Sequence, residues 1–276
     1  MEYYTLRDGL VLPKIGFGTY KLNGASGVYS ILTAINNGYR LLDSAFNYEN
    51  EGVLGQAIKK SSVNRSDLLV TSKLPGRHYK YQEAIDTIKE SLYRSDLDYF
   101  DIYLLHWPNP KQDQYVEAWQ ALIQAQKFGL IHSIGACNFL PEHLDRLSRE
   151  TGVLPTINQV ELHPYFNQEK QRKYNNDHNI LTEDWSPLGR ASDILHDPLL
   201  LNLANKYQKN VGQIILRWQI QINTLPIPKS TKAGRQKNNI DLFDFEISED
   251  DIAKINSLTK PNGRTANQDP AVYEEF

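Results

Sequence analysis

Two hydrophobic rhythms take turns along the chain. Short apolar runs of strand character lie at residues 14–18, 41–42, 68–70, 102–105, 131–136, 156–161, 180–185 and 224–227. Between most of them stand segments of helix length in which apolar residues recur three and four apart: Val28, Ile31, Leu32 and Ile35 in one, Ile85, Ile88 and Leu92 in another. Eight strands alternating with crossovers in 276 residues predict an α/β fold, a closed (β/α)8 TIM barrel. Ahead of it, residues 3–6 and 10–12 flank Arg7-Asp8-Gly9, the pattern of an N-terminal β-hairpin. Towards the end, Ser248 and Asp251 fit a capping box that opens a last helix, with Ile252, Ile255 and Leu258 as its apolar face. Residues 260–276 read as irregular. No linker or low-complexity tract interrupts the rhythm, so residues 1–276 are expected to form a single domain.

An open doubly wound sheet is the competing architecture, and it would carry G-x-G-x-x-G at its first helix. The nearest match, Gly16-Phe17-Gly18-Thr19-Tyr20-Lys21, lacks the third glycine, and no Walker-type phosphate loop occurs. A nucleotide bound by this chain is bound another way.

Three of the apolar runs end in chemistry. Asp43, Lys73 and His106 each close one, and they are spaced by about one βαβ repeat of ~30 residues. Polar groups that cap successive buried strands converge at one rim of a parallel barrel, where such folds keep their active sites. Lys73, partly desolvated there, needs a counter-ion, and Asp43 at the neighbouring strand end is the candidate. Tyr48 lies in the turn after Asp43. An adjacent ammonium is expected to pull its phenol down towards working pH, making it a proton donor to a carbonyl oxygen. His106 precedes Trp107-Pro108, a segment kept extended by the proline, and a neutral imidazole N–H could clamp the same oxygen. The set holds neither a nucleophile nor an electron source, so a hydride must come from a cofactor.

Composition narrows the class. A 40% hydrophobic, 23% charged chain has a full core, and a net charge of −3 leaves no footprint for nucleic acid or an anionic membrane. No apolar run approaches the roughly 20 residues of a membrane span, and residues 1–10 lack a signal-peptide pattern. The single cysteine, Cys137, cannot form an internal disulfide. The expectation is a cytoplasmic protein acting on a small-molecule carbonyl substrate, with no nucleic-acid, membrane or obligate protein partner.

Taken in order, the motifs Gly16-Phe17-Gly18-Thr19-Tyr20, Asp43-Ser44-Ala45-Phe46-Asn47-Tyr48, Thr71-Ser72-Lys73-Leu74, Leu104-Leu105-His106-Trp107-Pro108, Asn158-Gln159-Val160-Glu161 and Lys229-Ser230-Thr231 make the chain resemble the aldo-keto reductase superfamily. The likeness is greater to its compact prokaryotic diketogluconate and glyoxal reductase branch, and it spans essentially the whole chain. It implies an NADPH-dependent (NADP+) oxidoreductase in which Tyr48 is the general acid, assisted by Lys73, Asp43 and His106. It also implies that Asn138 and Gln159 contact the nicotinamide carboxamide, that Trp185 stacks on the nicotinamide, and that Ser186, Leu188 and Gly189 form the pyrophosphate loop. By the same likeness Lys229, Ser230, Thr231 and Arg235 hold the adenosine 2′-phosphate and Asn239 touches the adenine. Cys137 departs from the family's usual serine, and a thiol is a weak donor. Asn238 stands where many relatives carry an acidic residue that closes over the cofactor. The residues agree on the phosphate: Lys229, Lys232, Arg235 and Lys237 cluster just after the eighth apolar run of an otherwise net acidic chain.

Tyr20, Phe46, Trp107 and His106 are expected to line an aromatic, rather open pocket for small aldehydes, glyoxals, α-diketones or keto-sugars. A metal reading, Glu161-x-His163 beside Asp43 and His106, is disfavoured because Lys73 would repel a divalent ion. The alternative to an enzyme is a non-catalytic cofactor-binding barrel serving as a regulatory or structural subunit, and the intact tetrad argues against it.

Overall fold

The computed structural model describes residues 1–275. The hairpin comes first, with β1 (Tyr3–Thr5) and β2 (Val11–Pro13) antiparallel and Tyr3 opposite Pro13. Eight parallel strands follow: β3 (Phe17–Gly18), β4 (Leu41–Asp43), β5 (Leu69–Leu74), β6 (Phe100–Leu105), β7 (Ile131–Cys137), β8 (Ile157–Glu161), β9 (Leu181–Trp185) and β10 (Thr224–Pro226). They pair in chain order. β3 and β10 then meet, because Gly16 N–H donates to Pro226 O at 3.0 Å and Gly18 N–H to Pro228 O at 3.2 Å. The sheet closes into the expected (β/α)8 barrel. Among the described residues no helix is long and apolar enough to cross a membrane.

The helices run α1 (Gly24–Asn36), α2 (Glu51–Lys60), α3 (Tyr81–Ser95), α4 (Tyr115–Lys127), α5 (Pro141–Thr151), α6 (Glu169–Asp177), α7 (Pro198–Tyr207), α8 (Val211–Gln221), α9 (Ala233–Ile240) and α10 (Glu249–Asn256). The 3.6-residue periodicity puts Ile31 and Ile35, and likewise Ile85, Ile88 and Leu92, on the buried faces of α1 and α3. These faces cover the strands in the largest apolar cluster of the molecule.

The Gly16–Gly18 pair belongs to the seam. A Cβ on Gly18 would lie 2.9 Å from the Ile227 carbonyl oxygen, and one on Gly16 would lie 2.9 Å from an Ile227 methyl. The first strand, expected over 14–18, is reduced to Phe17–Gly18. In α10, Ser248 Oγ accepts the Asp251 N–H at 3.4 Å as expected of a cap. The reciprocal half of the expected box is absent: Ser248 N–H donates to the Tyr207 hydroxyl at 3.0 Å, and the Asp251 carboxylate faces Lys206, Tyr207 and Lys254. Two of those donors are cations, which bind a carboxylate more strongly than a backbone N–H does.

Period-2 alternation decides what fills the barrel. Leu41, Ile102, Leu104, Ile157 and Leu225 form one buried cluster with Leu6 and Leu12 of the hairpin, which plug the N-terminal end. Further towards the C-terminal ends, on β4, β5, β8 and β9, come Asp43, Lys73, Gln159 and Glu183, all buried. The interior is therefore apolar below and ionisable above, and the ionisable layer lies at the strands' C-terminal rim.

Candidate active site

Lys73 on β5 has no solvent exposure. Its Nζ donates to Asp43 Oδ1 at 2.8 Å, to Asp43 Oδ2 at 2.6 Å and to the Ser44 carbonyl at 2.7 Å, so all three ammonium protons have acceptors. Burial alone would strip the proton, but the Asp43 carboxylate outweighs it and holds the ammonium above its ordinary range. Register explains the meeting: Asp43 pairs with Thr71, two residues before Lys73, so both side chains face inward from adjacent strands.

Tyr48 sits in a short 3-10 turn, Phe46–Tyr48, directly after this strand end. Its ring centroid is 5.0 Å from Lys73 Nζ and 5.8 Å from the His106 ring, which meets it edge-on at 73°. The phenol does not behave as the sequence suggests. Burial pushes it above its ordinary value, the Lys73 ammonium pulls it back, and Asp43 adds to the rise. The expected descent towards working pH is corrected here, and the cause is burial first: desolvation favours the neutral phenol by more than the Lys73 ammonium, itself tied to both Asp43 oxygens, favours the phenolate.

His106 directly follows β6 and is anchored by its backbone, its N–H donating to Leu74 O at 3.1 Å and its carbonyl accepting from Asn138 Nδ2 at 3.1 Å. Trp107 is buried and packs 4.4 Å from the Tyr273 ring and 6.5 Å from Trp185. Tyr20 is half exposed with its ring 4.9 Å from Tyr48, at the rim. Phe46, expected there too, is not. Its ring lies under Arg94 at 4.0 Å and Arg77 at 5.6 Å and abuts His78, which makes it packing behind the rim. In the tight turn the neighbouring Asn47 takes the inward place, reaching Glu275 through Nδ2 at 2.6 Å.

Asn138, in the left-handed conformation at φ +64°, closes β7. Its Oδ1 accepts the Trp185 indole N–H at 2.8 Å and its Nδ2 also approaches Cys137 Sγ at 3.1 Å. Gln159 bridges two carboxylates, with Nε2 donating to Asp43 Oδ2 at 2.9 Å and to Glu183 Oε2 at 2.6 Å, while Cys137 Sγ lies 3.6 Å from its Oε1. Burial, and after it the Asp43 charge, pushes the Glu183 carboxyl up to about 8. Sequence reasoning passed over Glu183, although period-2 alternation from Leu181 through Glu183 to Trp185 marks it as inward.

The chain matches the model of the aldo/keto reductase family over residues 14–260. It belongs to the aldo/keto reductase family. It is 45% identical over 272 residues to 2,5-diketo-D-gluconic acid reductase B of Corynebacterium sp. (strain SHS752001), covering 99% of this chain and 98% of that one. To methylglyoxal reductase DkgA of Escherichia coli (strain K12) it is 41% identical over 266 residues, covering 96% and 95%. Among solved structures, a Gox0644 mutant in complex with NADPH superposes with a TM-score of 0.94 at 34% identity, covering 99% of this chain and 98% of that one. An aldo-keto reductase of Bombyx mori in complex with NADP gives 0.91 at 34%, covering 100% and 98%.

In this aldo/keto reductase, Ser186 and Gly189 take positive φ values of 52° and 57° in the loop after β9, beside the half-buried Leu188. After β10, Ser230 is buried and its Oγ accepts the Lys232 N–H at 3.0 Å, fixing the turn into α9. Lys229, Thr231 and Arg235 are exposed around it, and Asn239 is buried. Among the described residues Lys229, Lys232, Arg235 and Lys237 make no salt bridge, although nineteen such pairs occur elsewhere, so this cluster of cations has no protein counter-ion. An anionic phosphate fits there. Glu161 Oε1 is taken by Thr265 and lies 3.2 Å from His163 Nε2, and among the described residues no three metal-ligating side chains come together.

The segment after α10 is irregular, as expected, and it is also pinned. Thr265 is held by Glu161, Glu274 Oε1 accepts the Lys111 N–H at 2.7 Å, and Asn109 bonds the Glu275 backbone through both its amide groups at 2.8 and 3.0 Å. This strap delivers the buried Glu275 side chain to the site, with Oε2 accepting the Gly76 N–H at 3.1 Å and Oε1 lying 2.6 Å from His106 Nδ1. No periodicity in residues 260–275 announces it.

Proposed function

We propose that the protein reduces small aldehydes and ketones (glyoxals, α-diketones and keto-sugars) to alcohols with NADPH. The observation that carries this reading is a proton donor, Tyr48, packed at one rim against a fully buried Lys73–Asp43 ion pair and against His106. NADPH, when bound, supplies the hydride. Arg235 and Lys229 would bind its 2′-phosphate, with Ser230 and Thr231 as neutral donors. Trp185 would orient the nicotinamide, and Asn138 and Gln159 would hold its carboxamide by exchanging their present internal bonds.

The remaining chemistry belongs to the chain. His106 orients the carbonyl oxygen, and Tyr48 gives it a proton as negative charge builds there. A raised phenol is no obstacle, since an alkoxide is a far stronger base than a phenolate. The Lys73 ammonium then stabilises the phenolate left behind, an attraction that strengthens as the proton moves and is therefore useful to the rate. The names of the diketogluconate and methylglyoxal reductases support the substrate class, as does the half-exposed Tyr20 at an open rim. Cytoplasmic location is part of this reading and rests on a lone, buried Cys137. The test is NADPH consumption across a panel of neutral and acidic carbonyls. Turnover of methylglyoxal or a diketone with NADPH is expected, and no consumption with any member would sink the reading.

A further inference from the structure

The strap's carboxylate meets the His106 imidazole at Nδ1, and this contact has a chemical consequence. Glu275 Oε1 is 2.6 Å from His106 Nδ1. The ring N–H direction lies off the oxygen, so the contact is close without being a well-aligned hydrogen bond. At that separation an unprotonated Nδ1 and a carboxylate oxygen, both electron-rich, repel each other, and a proton on Nδ1 turns the repulsion into attraction. Everything else about Glu275 is fixed: Gly76 N–H holds one oxygen, Asn47 Nδ2 the other, and Asn109 the backbone on both sides. Although burial opposes it, the His106 contact and these donors hold the Glu275 carboxyl below its ordinary range, so the strap presents an anion at neutral pH.

We propose that Glu275 is a positioning residue that keeps the His106 proton on Nδ1, so that His106 can donate from Nε2 to a substrate oxygen only as the doubly protonated ring. This deepens, and rests on, the carbonyl-reductase reading above. A neutral imidazole has one N–H, and here the strap claims it. Other charged or titratable groups face the ring or its partner. Tyr48 is edge-on at 5.8 Å, Lys73 is closed in an ion pair with Asp43 and lies 5.0 Å from the Tyr48 ring, and buried Cys137 lies beside Asn138. Arg77 reaches Asn47 Oδ1 at 2.5 Å, behind the amide that holds Glu275. Of these, Glu275 is the anion in contact with the imidazole. The residue links the strap to the reaction by way of another side chain and touches no reacting atom.

The decisive comparison is wild type against Glu275→Gln, which keeps shape and backbone ties but removes the charge, with Glu275→Asp as the charge-retaining control. Ring-nitrogen NMR of cofactor-free protein, with His106 assigned by its loss in His106→Gln, should show Nδ1 protonated in wild type and a changed pattern in Glu275→Gln. In steady-state reduction, kcat/KM of Glu275→Gln should fall about tenfold or more near pH 8, a deficit that narrows at pH 6. Glu275→Asp should stay within about threefold of wild type at both pH values. Identical ring-nitrogen signals in wild type and Glu275→Gln, or a deficit that does not change with pH, would overturn the proposal. If wild type reduces no carbonyl at all, the functional reading fails while the NMR comparison still decides this one.

Discussion

An ammonium with no solvent around it survives at position 73 because three acceptors close on it, two of them from a single carboxylate. Removing one partner of such a pair leaves a buried uncompensated charge, which costs about 3–5 kcal/mol. Lys73→Met should therefore be both unstable and inactive. Combining it with Asp43→Asn should restore much of the stability in urea unfolding and none of the turnover; recovery of activity in the double variant would show that the ammonium is dispensable. Tyr48→Phe is the complementary test, since it removes the transferable proton and little packing. It should lose more than nine-tenths of turnover at saturating substrate while NADPH still binds, and a variant that keeps more than that would exclude Tyr48 as the acid. Asp43, Tyr48, Lys73 and His106 were legible in sequence because each closes or follows an apolar run, and strand-end position implies convergence. Phe46 and Asn47 show the limit. Which of two adjacent residues in a tight turn faces inward depends on backbone dihedrals that no periodicity encodes, and Glu275 acts across more than a hundred and fifty residues of chain with no pattern around it.

Elements of regular period are legible in the sequence, and the structure departs from that pattern where a single bond decides the matter. Strands β5 to β9 and the apolar faces of α1 and α3 follow from alternation and 3.6-residue spacing. β3 is shorter than its apolar run because the chain leaves the ladder to close the seam against β10, where Gly16 and Gly18 allow close approach. The turn from β10 into α9 carries the element-scale prediction. Ser230 fixes the turn, and Lys229, Lys232, Arg235 and Lys237 surround it without protein counter-ions among the described residues. Of these, Arg235 offers a planar fork that can grip phosphate oxygens in pairs. Arg235→Ala should weaken NADPH binding by roughly ten- to a hundredfold, the size of a lost charge-assisted contact, and barely change NADH binding. Fluorescence titration of both nucleotides against both proteins measures this. An equal loss for the two would assign Arg235 to the adenine or ribose and not to the 2′-phosphate.

At the scale of the whole molecule the barrel interior is graded, from Leu6, Leu12, Leu41, Ile157 and Leu225 at the plugged end to Lys73, Asp43, Gln159 and Glu183 below the rim. Such a gradient concentrates the cost of function in one layer, and Glu183 bears a large part of it. Its carboxyl is fully buried, has one oxygen with no partner, and is raised from an ordinary 4.5 to about 8. The sign follows from linkage. Between the two values the folded protein holds a proton at this site that the unfolded chain has released, so folding stability contributed by Glu183 falls as pH rises from about 4.5 to about 8 and levels off above. This is the reverse of a salt-bridged surface carboxylate, whose contribution grows over its window. Glu183→Gln keeps the shape and cannot ionise. Its stability relative to wild type should therefore climb with pH across that window, by at most about 1.4 kcal/mol per unit. Other titrating groups are common to both proteins and cancel in the difference. Urea unfolding of the pair at pH 5, 6.5 and 8 measures it, and a difference that stays flat across the three would mean that Glu183 is ionised in the folded protein throughout, its charge carried by Gln159 and the Lys73–Asp43 pair.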